Sequence, residues 1–251
     1  ILDNGMSLSI IKKKGFLEKA AFLSTNFGAL DNHFYIDGEL QSYPAGIAHF
    51  LEHMAFNGSK NFPGKSMLNY LESNGVKFGT DVNAYTSFDE TVYNISNVPV
   101  NREGIVDSCL LILHDWSNAI ALEDKEIDEE RGVIREEWRT RTNANMRILE
   151  KLIPQVFAGS QYANRMPIGT MDIVMNFPYQ TLKDYYHKWY RPDLQGIIIV
   201  GDIDADKTEK KLKEIFNTIP KPENAAERIY YTVPDNKEPI IAIAKDKEAT
   251  G

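Results

Sequence analysis

His49-Phe50-Leu51-Glu52-His53 decides how this chain is read. On an α-helix, residues four apart lie about 40° apart around the axis, so His49 and His53 share a face. Glu52 lies about 60° from His49 and points the same way. Two neutral imidazoles and a carboxylate beside one water molecule are the ingredients of a zinc hydrolase site. The order H-x-x-E-H mirrors the zinc-binding H-E-x-x-H. The flanks suit a helix from about Ala45 to Phe56: Pro44 at its start, apolar Ile47, Ala48, Phe50, Leu51 and Met54 along it, and Gly58 beyond it. In so apolar a helix, imidazoles without partners are costly, and a zinc site of this type requires a third protein ligand.

That ligand is sought in the acidic run Asp124 to Trp138. Most of such a run is a solvated helix face, but helical phase separates its members. With Ile127, Ile134 and Trp138 taken as the buried stripe, Glu129 and Glu136 fall on the far side, in water. Glu130 and Glu137 fall on the inward edge, where two carboxylates need a cationic partner. Periodicity leaves the choice between Glu130 and Glu137 open and excludes Glu136.

Around these residues the chain reads as strands and helices in mixed order. Leu8 to Ile11 and Lys19 to Phe27 read as strands, and a polar loop leads into the motif helix. A short helix follows from Ser66 to Ser73, then a hairpin of Val82 to Ser87 and Thr91 to Val98. Helices are expected from Val100 to Ala121, from Lys125 to Phe157 with Asp124 as cap, and from Tyr179 to Tyr190. Gln195 to Val200 reads as a buried strand and Asp204 to Thr218 as an amphipathic helix. This is an α+β layered domain with a mixed or antiparallel sheet packed against helices. Residues 1–220 are expected to form the metal-binding domain. Residues 221–251 are expected to be a linker and the first strands, 229–233 and 240–244, of an incomplete second domain.

Composition bounds the remainder. The 251 residues are 43% hydrophobic and 25% charged, ordinary for a globular protein. A net charge of −8 argues against nucleic acid as a partner. No apolar run approaches the roughly 18 residues of a membrane span. The single Cys109 excludes an intrachain disulfide framework. The sequence opens at Ile1 without an initiator methionine and reads as trimmed at both ends. His33, His114 and His187 have no partner at ligand spacing and read as structural.

The stretch Gly46 to Gly58 closely resembles the pitrilysin-like M16 metallopeptidases, nearest to bacterial periplasmic-type members. Asn83-Ala84-Tyr85-Thr86, Glu130-Arg131-Gly132-Val133-Ile134 through Glu137, Tyr190-Arg191-Pro192 and Val200-Gly201-Asp202 resemble further landmarks of that family in the same order. The resemblance implies Zn²⁺ held by His49, His53 and Glu137, with Glu130 supporting the site. It implies Glu52 as the general base of a zinc-dependent endopeptidase, accepting a proton from the attacking water. It further implies a peptide substrate added as a strand near Asn83, Ala84 and Tyr85. Asn83 and Tyr85 share a strand face, from which one can meet substrate and the other the metal ligands. Family members have two related halves, so the chain is expected to act with a missing C-terminal half or a partner subunit. Alternatives are a partner-dependent subunit that binds peptide without cleaving it, which usually lacks part of the zinc motif, and a zinc hydrolase of other substrates.

Overall fold

The computed structural model describes residues 1–16, 18–31, 33–36, 39–99, 104–223, 225 and 227–249. Its centre is a five-stranded sheet built from β1 (Ser7–Lys12), β2 (Glu18–Thr25), β5 (Val82–Thr86), β6 (Thr91–Pro99) and β7 (Gln195–Gly201), in the order β1-β7-β2-β6-β5. β1 pairs with β7 in parallel, and every other pair is antiparallel, so the sheet is mixed. Register places Val82, Ile95, Ala21 and Ile199 in one row across the sheet, and Ala84, Tyr93, Leu23 and Ile197 in the next. Since side chains alternate along a strand, both rows face the same side. Ala21, Leu23, Val82, Tyr93, Ile95, Ile197 and Ile199 are all buried there.

The covering layer is helical. Among the described residues there are eight α-helices: α1 (Ile47–Met54), α2 (Ser66–Ser73), α3 (Ile105–Asn118), α4 (Asp124–Arg141), α5 (Ala144–Val156), α6 (Met171–Asn176), α7 (Tyr179–Trp189) and α8 (Ala205–Phe216). α1 packs against β5, α3 against β2 and β6, and α8 against β1, while α4 lies on α1. Phe50, Leu51, Trp116, Ile127, Leu182, Trp189, Leu212 and Phe216 join the strand residues in one continuous core. The domain is thus α+β and layered.

Several local expectations are corrected. The long helix expected to reach Phe157 is two helices, because the Asn143 side chain accepts a hydrogen bond from Met146 N at 3.1 Å and starts α5 afresh. Asparagine competes with the helical backbone in this way and favours the N-cap. Asp124 does not cap α4: it is the first helical residue, Glu123 precedes it in the cap position, and Asp124 pairs with Lys183 at 2.6 Å. The polar loop before the motif holds a two-stranded sheet, β3 (His33–Ile36) with β4 (Glu39–Ser42). α6 was not anticipated. The expected start of α3 at Val100 lies outside the described residues, and the helix described begins after Gly104. Residues 229–233 and 240–244 form no strand among the described residues, since no neighbouring strand offers its backbone. Ile241 and Ile243 there are largely exposed.

Candidate active site

The motif helix is short, and its placement is governed by what surrounds it. It begins at Gly46, whose φ of 90° lies in the left-handed region. A Cβ there would stand 2.9 Å from the Ile168 carbonyl oxygen, so glycine serves both conformation and close approach. From Ile47 to Met54 every residue but His53 is buried. The helix is held by Phe50, Leu51 and Met54 in the core and presents His49, Glu52 and His53 to a cavity of about 590 Å³.

α4 supplies the carboxylates from the other side. Ile127 and Ile134 are fully buried, which turns Glu130 and Glu137 inward. Glu129 and Glu136 project to solvent, and Glu136 pairs only with Arg139 at 2.7 Å. Trp138 departs from its expected place: it is 37% exposed and lines the cavity instead of completing the buried stripe. The helix face turned to α1 already carries the carboxylates, which leaves the indole at the cavity wall.

Glu137 Oε2 lies 3.1 Å from His53 Nε2 and 3.6 Å from His49 Nε2. Ligand atoms of His49, His53 and Glu137 all fall within 4.8 Å of one another. Glu137 Oε2 is fully buried yet has no aligned hydrogen-bond donor, so it is an acceptor aimed at the space the imidazoles face. Its other oxygen takes Arg141 at 2.8 Å. Two imidazole nitrogens and one carboxylate oxygen match the donor set of a zinc centre with a further position left open. The metal that fits is Zn²⁺.

Glu130 has a different place. Its Oε1 lies 2.7 Å from His53 Nδ1 and its Oε2 accepts from Asn57 Nδ2 at 2.5 Å. Asn57 Oδ1 in turn accepts from Lys65. A carboxylate on the outer nitrogen of a ligating histidine fixes ring orientation and tautomer. Burial alone would pull the His53 pKa down, but the carboxylates beside it, Glu130 on Nδ1 and Glu137 3.1 Å from Nε2, outweigh it and raise it to about 9. Burial opposes ionisation of Glu137, yet the two imidazoles hold its carboxyl well below the usual range. In the absence of metal, His53 is therefore a cation between two carboxylates, a charge that Zn²⁺ held by these residues would replace.

Glu52 receives a hydrogen bond from Thr86 Oγ1 on Oε2 at 2.6 Å. Thr86 ends the strand edge on which a peptide is expected to add, and its contact with Glu52 is a finding of the structure. Strand alternation carried the signal, because Ala84 and Thr86 share the helix-side face of β5. Asn83 and Tyr85 lie on the opposite face of β5 and also line the cavity. The Asn83 side chain accepts from Ala84 N at 2.9 Å and the Tyr85 hydroxyl donates to Glu90 at 2.8 Å. Neither of these hydrogen bonds reaches a metal ligand. Asn57, Lys65 and Arg141 complete the surroundings of the two carboxylates. Only Arg141 had a sequence signal, its spacing of four from Glu137.

His114 lies elsewhere, 3.3 Å from Thr218 Oγ1, and His187 sits on α7 against Tyr186. The side chain of His33 lies outside the described residues.

A mixed-sheet domain that converges two histidines and a glutamate beside a free glutamate is of the zinc-hydrolase class. Residues 40–167 match the insulinase family, peptidase family M16, and residues 176–251 match the M16 inactive domain. The chain belongs to peptidase family M16. It is 43% identical over 190 residues to a probable zinc protease PqqL of Haemophilus influenzae, covering 75% of this chain and 20% of that protein. To the Escherichia coli protein of the same name it is 37% identical over 236 residues, covering 94% and 24%. The crystal structure of the first half of the periplasmic protease PqqL from Escherichia coli superposes with a TM-score of 0.83 at 36% identity, over 94% of this chain and 48% of that one. Pitrilysin shares the fold, with a TM-score of 0.71 at 21% identity over 96% of this chain and 24% of that one. The chain spans a fifth to a quarter of the length of these curated relatives. Among the described residues no helix is long and apolar enough to cross a membrane.

Proposed function

We propose that this chain carries the zinc-binding centre of an endopeptidase, with His49, His53 and Glu137 as ligands and Glu52 as general base. The observation that carries the reading is the convergence of the three ligand atoms within 4.8 Å in a cavity that Glu52 also lines. When bound, zinc supplies Lewis acidity toward a peptide carbonyl and lowers the pKa of a water towards about 7.

The chain's own residues do the rest. Glu130 holds the proton of His53 on Nδ1, which leaves Nε2 with its lone pair toward the cavity. Thr86 occupies one oxygen of Glu52 and leaves the other to accept a proton from the attacking water and return it to the leaving amine. Substrate is a peptide or unfolded polypeptide that adds as a strand to β5. That strand is the sheet's edge and pairs only with β6 among the described residues. Ala84 N points to the free edge, where the Asn83 side chain now satisfies it; an incoming peptide carbonyl can take its place.

Residues 1–220 act as one folded unit, because β7 lies between β1 and β2 and so joins late sequence to early sequence. Residues 221–251 belong to the connection with a second M16-like half, which works with this one on the substrate. The length of the relatives supports that arrangement, and the periplasmic relative supports a bacterial periplasmic location. A subunit that only binds peptide has no use for a carboxylate held as Glu52 is. Glu52→Gln tests the assignment: zinc content stays at one per chain while peptide hydrolysis falls about 10²–10⁴-fold. Retained hydrolysis, or zinc lost with the carboxylate, overturns it.

A further inference from the structure

The Thr86–Glu52 hydrogen bond depends on where the β5–β6 turn sits, and that turn is fastened by a residue far away in sequence. Ser87 N donates to Glu90 O at 2.8 Å to close the turn. A second turn, residues 28–31, lies against it: Ala29 N donates to Ser87 O and Leu30 N to Phe88 O, both at 2.9 Å. The approach is so close that a Cβ on Gly28 would stand 2.5 Å from Ser87 O. Within this second turn Asp31 is 2% exposed and accepts from Gly28 N at 2.7 Å.

Arg228 joins the two turns. Its Nε and Nη2 donate to the Asp31 carboxylate at 3.0 and 3.2 Å, and Nη2 also donates to the Asp89 carbonyl at 2.9 Å. Nη1 donates to Asn26 Oδ1 at 2.5 Å, and the guanidinium lies 4.9 Å from the Tyr230 ring centre. Its side chain is 4% exposed although it belongs to a segment without regular secondary structure. A buried arginine with every nitrogen engaged fixes geometry in a way that exposed ion pairs do not.

We propose that Arg228 is a positioning residue for the active site: it clamps turn 28–31 onto turn 87–90 and thereby sets Thr86 against Glu52. This rests on Glu52 acting as the base. The stretch after α8 then takes part in the geometry of the proton-accepting carboxylate. Lysine cannot reproduce the fork, since it offers one point charge in place of three directed nitrogens.

The test uses the zinc-loaded full chain with Arg228→Met, Arg228→Lys, Thr86→Val and the double variant Arg228→Met/Thr86→Val. Amide exchange over residues 83–90 is expected to accelerate about tenfold in Arg228→Met and less in Arg228→Lys, with α3 unchanged and zinc content unchanged. kcat for a peptide is expected to fall about tenfold in Arg228→Met and in Thr86→Val, with a smaller change in KM. The double variant should lose no more than about twofold beyond the worse single one, because both act through one contact. Multiplying losses, or faster exchange confined to residues around 228, overturn the proposal. Should Arg228→Met fail to fold, Arg228→Lys decides by the same readouts. If the chain cleaves no peptide without its second half, exchange over 83–90 still decides whether Arg228 holds Thr86, and the endopeptidase reading is tested separately with that half supplied.

Discussion

A carboxylate's worth at this site depends on a single residue of helical phase. Glu136 and Glu137 are neighbours in sequence, yet one pairs with Arg139 in solvent and the other meets two imidazoles. Glu137→Gln is therefore expected to cost most of the bound zinc, and Glu136→Gln none, by elemental analysis of protein purified without added metal. The pH dependence of the zinc-free protein follows from the same charges. The folded pKa of His53, about 9, lies above the ordinary value of 6.5. Its contribution to stability is full below about 6.5 and is lost as pH rises through about 9. Thermal unfolding of zinc-free protein should show this decline, and Glu130→Gln should flatten it. A profile with no decline across that window would remove the ion cluster as its cause. In the sequence, helix geometry converts spacing into direction and narrows the third ligand to Glu130 or Glu137, while the family resemblance selects Glu137. Neither discloses the contact of Thr86, whose partner Glu52 sits 34 positions away on another element.

At the level of elements, the loop that leaves the motif helix is pinned by Asp115, at the end of α3. Asp115 Oδ2 accepts from Ser59 Oγ at 2.6 Å and Asn61 N at 2.8 Å, and Oδ1 accepts from Asn61 Nδ2 at 2.7 Å. This loop also carries Asn57, which holds Glu130. Burial would raise the Asp115 pKa, but His114 and these donors bring it below the ordinary value. Its contribution is thus present above about pH 4 and lost as pH falls through the lower folded value. Asp115→Asn sets an NH₂ group against another donor, and a loss of about 1–3 kcal/mol is expected from denaturant unfolding. An unchanged midpoint would mean that the loop is held by its backbone hydrogen bonds, Ser59 N to Phe62 O and Lys60 N to Ala119 O, without the carboxylate. Elements were legible where their own period announced them: the β5–β6 hairpin, α1, α2, α7 and β7 stand close to where patterning puts them. The α4–α5 break was not, because its cause is one Asn143 side chain competing with an otherwise continuous helical pattern. Nor was the β3–β4 pair, whose ladder is set by pairing and not by an apolar period.

For the molecule as a whole, the proposed ligand set makes zinc a tertiary link. His49 and His53 stand on a helix packed against β5 at one edge of the sheet, while Glu137 stands on a helix whose own core contacts are Ile127 and Ile134. Without metal, α4 is held beside α1 by apolar packing and by carboxylates facing a cationic histidine. Zinc held by the proposed ligands would join the two helices through bonds that exist only in the folded chain. Free zinc at about 1,000 times the dissociation constant stabilises such a fold by about 4 kcal/mol. For a domain of this size each kcal/mol moves Tm by about 2–4 °C, so zinc should raise Tm by about 8–16 °C over chelator-treated protein. Glu137→Gln should abolish most of that rise while leaving the Tm of chelated protein within a few degrees, since its apolar packing is untouched. The two curves separate the metal link from the packing. A rise of equal size in Glu137→Gln would place the zinc on other residues and sink Glu137 as its third ligand. A wild-type Tm indifferent to saturating zinc would mean that the unfolded chain binds it as well, and the site would then carry no tertiary linkage.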